Sequence, residues 1–299
     1  MKTPPLQKET LQNERARAYL DGILASGNVA HLLLFVGEDE AVINEASVFA
    51  KRWLEKISPQ NVSHLTLDIH HLKVEGKIGM HSVASIREML EKAANLPFQA
   101  NGKVFIIEEA ERMLPTSANA LLKTIEEPSA NTLFLLTTND PLKLLPTVRS
   151  RCQVVRFLQK HAEDGPYYAT LHKLISSTMT YKTIFSFCDE IQAIFDGKRK
   201  TFEAEVVMPS KELQKEFNAQ QKHKIELEGE GHISSKMQHE VELLLQDIAK
   251  VFRDEYRKHG KGPNLEKVQE GLVFTKLAYE RSVPLKNALE SFFLRILEQ

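Results

Sequence analysis

Several things are scarce in this chain, and each scarcity removes a class of function. It has two cysteines, Cys152 and Cys188, in 299 residues. Two distant thiols give no disulfide framework and suit a reducing compartment, so a cytoplasmic location is expected. The formal net charge is −1, which excludes a globally basic protein. Any nucleic-acid contact must then come from a local patch or a surface shared with other chains. The apolar runs are strand-sized, well short of the roughly 20 residues that span a bilayer. The start Met1-Lys2-Thr3-Pro4-Pro5 lacks the apolar core of a signal peptide, and no membrane association is expected. His64, His70, His71 and His81 cluster in sequence, but their spacing matches no tetrahedral ligand set.

What is present reads as a globular α/β protein. An apolar fraction of 42% with 26% charged residues is ordinary, and 299 residues suffice for two or three domains. Val104-Phe105-Ile106-Ile107 has the β-branched and aromatic character of a strand buried on both faces. It ends in Glu108-Glu109-Ala110-Glu111, and carboxylates so placed hold magnesium and polarise water in P-loop ATPases. A helix follows, capped by Thr116 or Ser117 and stopped by Pro128. Thr132 to Leu136 is a second buried strand, so the unit predicts a right-handed crossover and a parallel sheet.

An earlier strand, Leu32 to Val36, leads into Gly37, and Ala41 to Leu54 reads as a helix. A phosphate loop would continue G-x-x-x-x-G-K-[ST], with backbone amides cradling phosphate and lysine neutralising it. This chain reads Gly37-Glu38-Asp39-Glu40-Ala41-Val42 instead. The second glycine, the lysine and the hydroxyl are absent, and three carboxylates stand where polyphosphate needs positive charge. No ATP is expected in this site.

Thr147-Val148-Arg149-Ser150-Arg151-Cys152 follows the apolar run that ends at Thr137-Thr138-Asn139-Asp140-Pro141. The spacing puts Arg151 on the rim of the α/β domain, aimed away from its own chain. A guanidinium there suits a phosphate held by a neighbouring subunit. Taken alone, a rim arginine reads as an ordinary surface ion pair.

The run Ser117 to Pro128 with Ser150-Arg151-Cys152, within a block from about residue 80 to 157, resembles the bacterial DNA polymerase III clamp loaders of the AAA+ class. That resemblance implies an α/β AAA+ domain over 1–157, a small helical lid over 158–206 and an all-α oligomerisation collar over 207–299. The family includes gamma/tau ATPases and a related subunit whose nucleotide site is degenerate. With its altered loop, this chain resembles the second kind. Arg151 would then be a trans arginine finger, flanked and oriented by Ser150 and Cys152. Glu108, Glu109, Thr138 and Asn139 would be vestigial, with Glu108 standing where the family usually places aspartate. The implied partners are gamma/tau, delta, and the sliding clamp and primed DNA through the assembly. No autonomous activity is expected. The family's four-cysteine zinc module has no counterpart between Glu55 and His70, so no zinc is expected. An active ATPase of the gamma/tau type with an unconventional phosphate loop remains the alternative, and a stand-alone adaptor a third. Arg87, Lys103, Arg112 and Lys123 are candidate phosphate contacts, but glutamates accompany nearly all of them and an ordinary solvated surface accounts for each.

Beyond Phe157, Gln159 to Pro166 reads as a polar linker. Leu171, Leu174, Ile175, Ile184, Phe187, Ile191 and Ile194 recur at helical spacing. Within the charged segment 196–232, Lys211 to Glu228 reads as a solvated helix and Gly229-Glu230-Gly231 as a break. Val241 to Tyr256, Leu265 to Arg281 and a last helix opened by Pro284 complete the expected elements.

Overall fold

The computed structural model describes residues 5–37, 39–60, 62–157, 165–176, 179–206, 218–260 and 263–298. Glu38, most of the expected linker and residues 207–217 of the charged segment lie outside them. The chain divides into two compact units, Met1–Lys160 and His161–Gln299.

The first unit is built on five strands: β1 (Leu32–Val36), β2 (Ile69–Leu72), β3 (Lys103–Ile107), β4 (Thr132–Thr138) and β5 (Gln153–Arg156). All neighbours pair in parallel, in the order β2-β3-β4-β1-β5. Alternate residues of a strand face opposite ways, and both faces here are covered. On one face Leu33, Phe35, Val104, Ile106, Leu133 and Leu135 pack against α1 (Pro5–Ser26) and α2 (Asp39–Ile57). On the other, Leu34, Phe105, Ile107, Phe134 and Leu136 pack against α3 (Val83–Ala94) and α4 (Pro115–Glu126). Double burial explains the unbroken apolar runs of β1, β3 and β4.

The helix α4 begins earlier than expected. Leu114 is its N-cap and Pro115 its first residue, where a missing N–H costs nothing. Ser117 is buried and donates to the His81 carbonyl (3.1 Å) instead of capping. A four-residue helix, α5 (Pro146–Arg149), precedes β5.

The second unit is all helical: α6 (Tyr168–Ser176), α7 (Tyr181–Glu205), α8 (Ala219–His259), α9 (Leu265–Glu280) and α10 (Leu285–Leu297). The parallel sheet and the helical C-terminal part are therefore as expected. The expected boundary at 206/207 falls inside this unit. Leu171, Ile184 and Phe187 from one side of it share a single core with Leu244, Ile248, Leu289 and Phe293 from the other. Asp247 on α8 strengthens that union by accepting from the Tyr167 amide (2.9 Å) at the head of α6. The expected break at Gly229-Glu230-Gly231 is also absent, because α8 runs through it. A Cβ on Gly229 would lie 3.0 Å from Val206 Cγ1. The glycine lets the end of α7 approach closely, which offsets its roughly 1 kcal/mol helix penalty. No described helix is long and apolar enough to cross a membrane.

Candidate functional site

In a parallel sheet, ligands are taken at the carboxyl edge of the strands. Gly37, Glu108 and Asn139 all follow strand ends on this edge. Gly37, where a phosphate loop would begin, is closely packed. Gly37 N–H donates to the Thr138 carbonyl (3.0 Å), and Phe157 N–H to the Val36 carbonyl (2.8 Å). A Cβ on Gly37 would lie 2.7 Å from Val42 Cγ1 and 3.1 Å from the Phe157 carbonyl oxygen. Val42 is fully buried, and Gly37 and Phe157 are buried too. Glu38 lies outside the described residues. Glu40 is exposed on the first turn of α2, which begins at Asp39.

The acids at the end of β3 are engaged by their own chain. Glu108 Oε1 accepts from His71 Nδ1 (2.7 Å), and Glu109 Oε2 from Arg112 Nε (2.5 Å). Glu109 sits in the left-handed region (φ +48°), held there by its amide's bond to Thr137 Oγ1 (3.1 Å). Thr138 is fully buried, and its Oγ1 accepts from the Asp140 amide (3.1 Å). Asn139 is half-buried beside it. Beneath this edge, buried His81 donates from Nε2 to the Glu108 carbonyl (2.6 Å), which leaves Nδ1 as a buried acceptor with no partner among the described residues. Burial lowers its pKa. His70 stacks on Phe105 (4.9 Å between ring centres), so adjacent His70 and His71 face opposite ways, as a strand requires. His64 has no described side chain. Among the described residues, no group of three or more His, Cys, Asp or Glu could hold a metal ion.

Two of the candidate phosphate contacts are committed elsewhere. Lys103 is buried and donates to the Lys92 carbonyl (2.9 Å) and to that of Asn95, closing the end of α3. Arg112 is held by Glu109.

Arg151 lies at the opposite edge of the sheet. It precedes β5, whose Gln153 pairs with Leu33 near the start of β1, whereas Gly37 follows the end of β1. The Leu33–Val36 length of paired strand, at about 3.3 Å per residue, keeps the two apart by more than roughly 10 Å. The trio around Arg151 closes the end of α5. Ser150 Oγ (3.1 Å) and Arg151 Nη1 (2.9 Å) both donate to the Thr147 carbonyl, and Cys152 Sγ donates to that of Val148 (3.2 Å). The side chains add to the turn bonds at this helix end, where the Arg151 amide also donates to the Val148 carbonyl (3.1 Å). The Cys152 thiol is pushed up to about 12 by burial and stays protonated as the donor. Arg149 Nη1 reaches the Pro141 carbonyl (3.1 Å) and ties down the loop after β4. The Arg151 side chain is 40% exposed, and its Nη2 meets Glu126 Oε1 at 2.6 Å. Glu126 was not singled out in the sequence, and no local pattern links positions 126 and 151.

Comparisons with known proteins place the chain among DNA polymerase III subunits. A DNA polymerase III subunit delta' from Haemophilus influenzae is 46% identical over 95 residues, 31% of this chain and 28% of the relative. A gamma/tau subunit of DNA polymerase III from Mycoplasma pneumoniae is 37% identical over 97 residues, 32% of this chain and 14% of that one. The chain therefore spans less than a third of the length of these relatives in the matched regions. A solved gamma subunit-related protein from Thermotoga maritima is 18% identical and covers 93% of this chain and 97% of its own, with a TM-score of 0.40. The family described as DNA polymerase III, delta subunit matches residues 12–161, half of the sequence. The chain belongs to that family.

Proposed function

We propose that this chain is a clamp-loader subunit of the delta prime type in DNA polymerase III, which has no ATPase of its own and completes the ATP site of a neighbouring gamma/tau subunit. Arg151 is the trans arginine finger in this reading, stabilising charge that develops on the transferred phosphoryl group. Ser150 and Cys152 hold the backbone from which it projects. One observation carries the reading: the exposed arginine and the chain's own phosphate-loop position stand at opposite edges of one sheet. In this reading Arg151 serves a phosphate presented by another chain. The packed Gly37–Val42 contact and the engaged Glu108 and Glu109 support the absence of ATP in the chain's own site. Delta, the sliding clamp and primed DNA are partners through the assembly, in the cytoplasm. The helices over 207–299 serve as the collar and those over 158–206 as the lid, the collar supported by Val273, Phe274 and Leu277, which leave an exposed apolar stripe on α9.

The test is steady-state ATP turnover by the reconstituted assembly, stimulated by clamp and primed DNA. Arg151→Ala should leave assembly intact and slow turnover at least tenfold, given the magnitude of such arginines. Unchanged turnover in an intact assembly refutes the role.

A further inference from the structure

The guanidinium proposed to meet a phosphate already meets an anion in its own chain. Glu126 Oε1 lies 2.6 Å from Arg151 Nη2, and the Thr147 carbonyl accepts from Nη1 at 2.9 Å. A carboxylate oxygen and a phosphate oxygen recruit the same N–H donors with similar geometry. Glu126 therefore occupies a donor that an incoming phosphate would use. It is also placed to do so reliably. It closes α4, whose last turn is anchored where His31 Nε2 donates to the Ile125 carbonyl (2.8 Å). The bonds of Ser150, Arg151 and Cys152 to the carbonyls of α5 fix the backbone on the other side.

The strength of this contact identifies its use. The two side chains are 40% and 48% exposed. Pairs so wet are screened and shift an equilibrium only a few-fold. Such a contact contributes little to the fold, but it is suited to a contact that must open. A phosphate carrying two or more negative charges, presented with water excluded, outcompetes a single solvated carboxylate.

We infer that Glu126 is an intrachain counter-ion that masks Arg151 until a neighbouring nucleotide phosphate displaces it. The inference rests on the trans arginine reading and adds an autoinhibitory contact to it. Masking keeps an exposed cation on the unassembled chain from capturing stray polyanions. It also sets a threshold on when the neighbour's site is complete. Removing the carboxylate should then raise activity, whereas the loss of a merely structural contact lowers it.

The experiment compares Glu126→Gln, Arg151→Ala and the double variant in the reconstituted assembly with gamma/tau, clamp and primed DNA, reading kcat/KM for ATP. The expected result for Glu126→Gln is a rise of about two- to fivefold, the range that an exposed pair supports. Glu126→Asp should restore part of the wild-type restraint, and the double variant should match Arg151→Ala alone. Unchanged or reduced kcat/KM in Glu126→Gln, with Arg151→Ala still impaired, overturns the counter-ion role while leaving the arginine finger standing. A rise that persists in the double variant overturns it too, because the gain would not pass through Arg151. Arg151→Ala without effect removes the reading on which both depend.

Discussion

The packing around Gly37 makes a quantitative claim about this glycine. Replacing it with alanine puts a methyl 2.7 Å from Val42 Cγ1 and within 3.1–3.2 Å of the Phe157 carbonyl oxygen and Cβ. Those neighbours are buried and belong to the core under α2. Overpacking such a site costs roughly 1–3 kcal/mol. Val42→Ala deletes two buried methyl groups worth about 0.8 kcal/mol each and leaves a cavity, for a loss of roughly 2–3 kcal/mol. The double variant removes the closest clash and refills part of the cavity. Its loss should fall short of the summed single losses by about 1 kcal/mol or more. Urea denaturation read by tryptophan fluorescence measures all three. Trp53, the single tryptophan, lies on α2 in the same core as Val42, so the signal reports this unit. Gly37→Ala within about 0.5 kcal/mol of wild type would refute the reasoning, as would additive losses. Either result would mean that the loop is loose enough to admit a ligand.

Two further outcomes follow from buried polar groups. His81 is neutral in the folded chain because burial lowers its pKa. The unfolded chain takes up a proton near pH 6.5 that the folded chain refuses. Stability should therefore fall as pH drops below about 6.5, by up to about 1.4 kcal/mol per pH unit, until the folded pKa is reached. His81→Gln should flatten that slope in denaturation curves between pH 7 and pH 5, and an unaltered slope would refute the assignment. Asp68 is buried and accepts the amides of Phe98 (2.6 Å), Gln99 (2.9 Å) and Ala100 (2.8 Å). Asp68→Ala should cost about 2 kcal/mol or more and speed hydrogen exchange at these three amides; protected amides in the variant would refute it.

The sheet was legible because its central strands are buried on both faces. Leu32–Val36, Val104–Ile107 and Leu133–Leu136 carry no polar interruption, so composition alone marks them. The departure of Gly37 to Val42 from a phosphate-loop pattern is visible as missing residue types, and Arg151 stands out by its company, while the roles drawn from both belong to the proposed function. What the sequence withheld depends on contacts between distant segments. Val42 reads as one more helical apolar residue until Gly37 is seen against it. Glu126 looks like a solvated charge at a helix end until Arg151 arrives from beyond β4. Gly229 and Gly231 signal a break locally, and only the approach of Val206 explains why the helix continues. Periodicity locates the helices of the second unit but does not say which of them share a core.

That continuous helix has a mechanical meaning. At 41 residues and 1.5 Å per residue, α8 is a rod about 60 Å long. Its distal half carries the apolar face, including Leu244, Ile248 and Val251, that organises the second unit. Its opening turns, from Ala219 onward, are largely exposed. A helix hydrogen-bonded throughout transmits bending and torsion along its length. A push on the opening turns is therefore a tilt applied to the core, with the leverage set by the length of the rod.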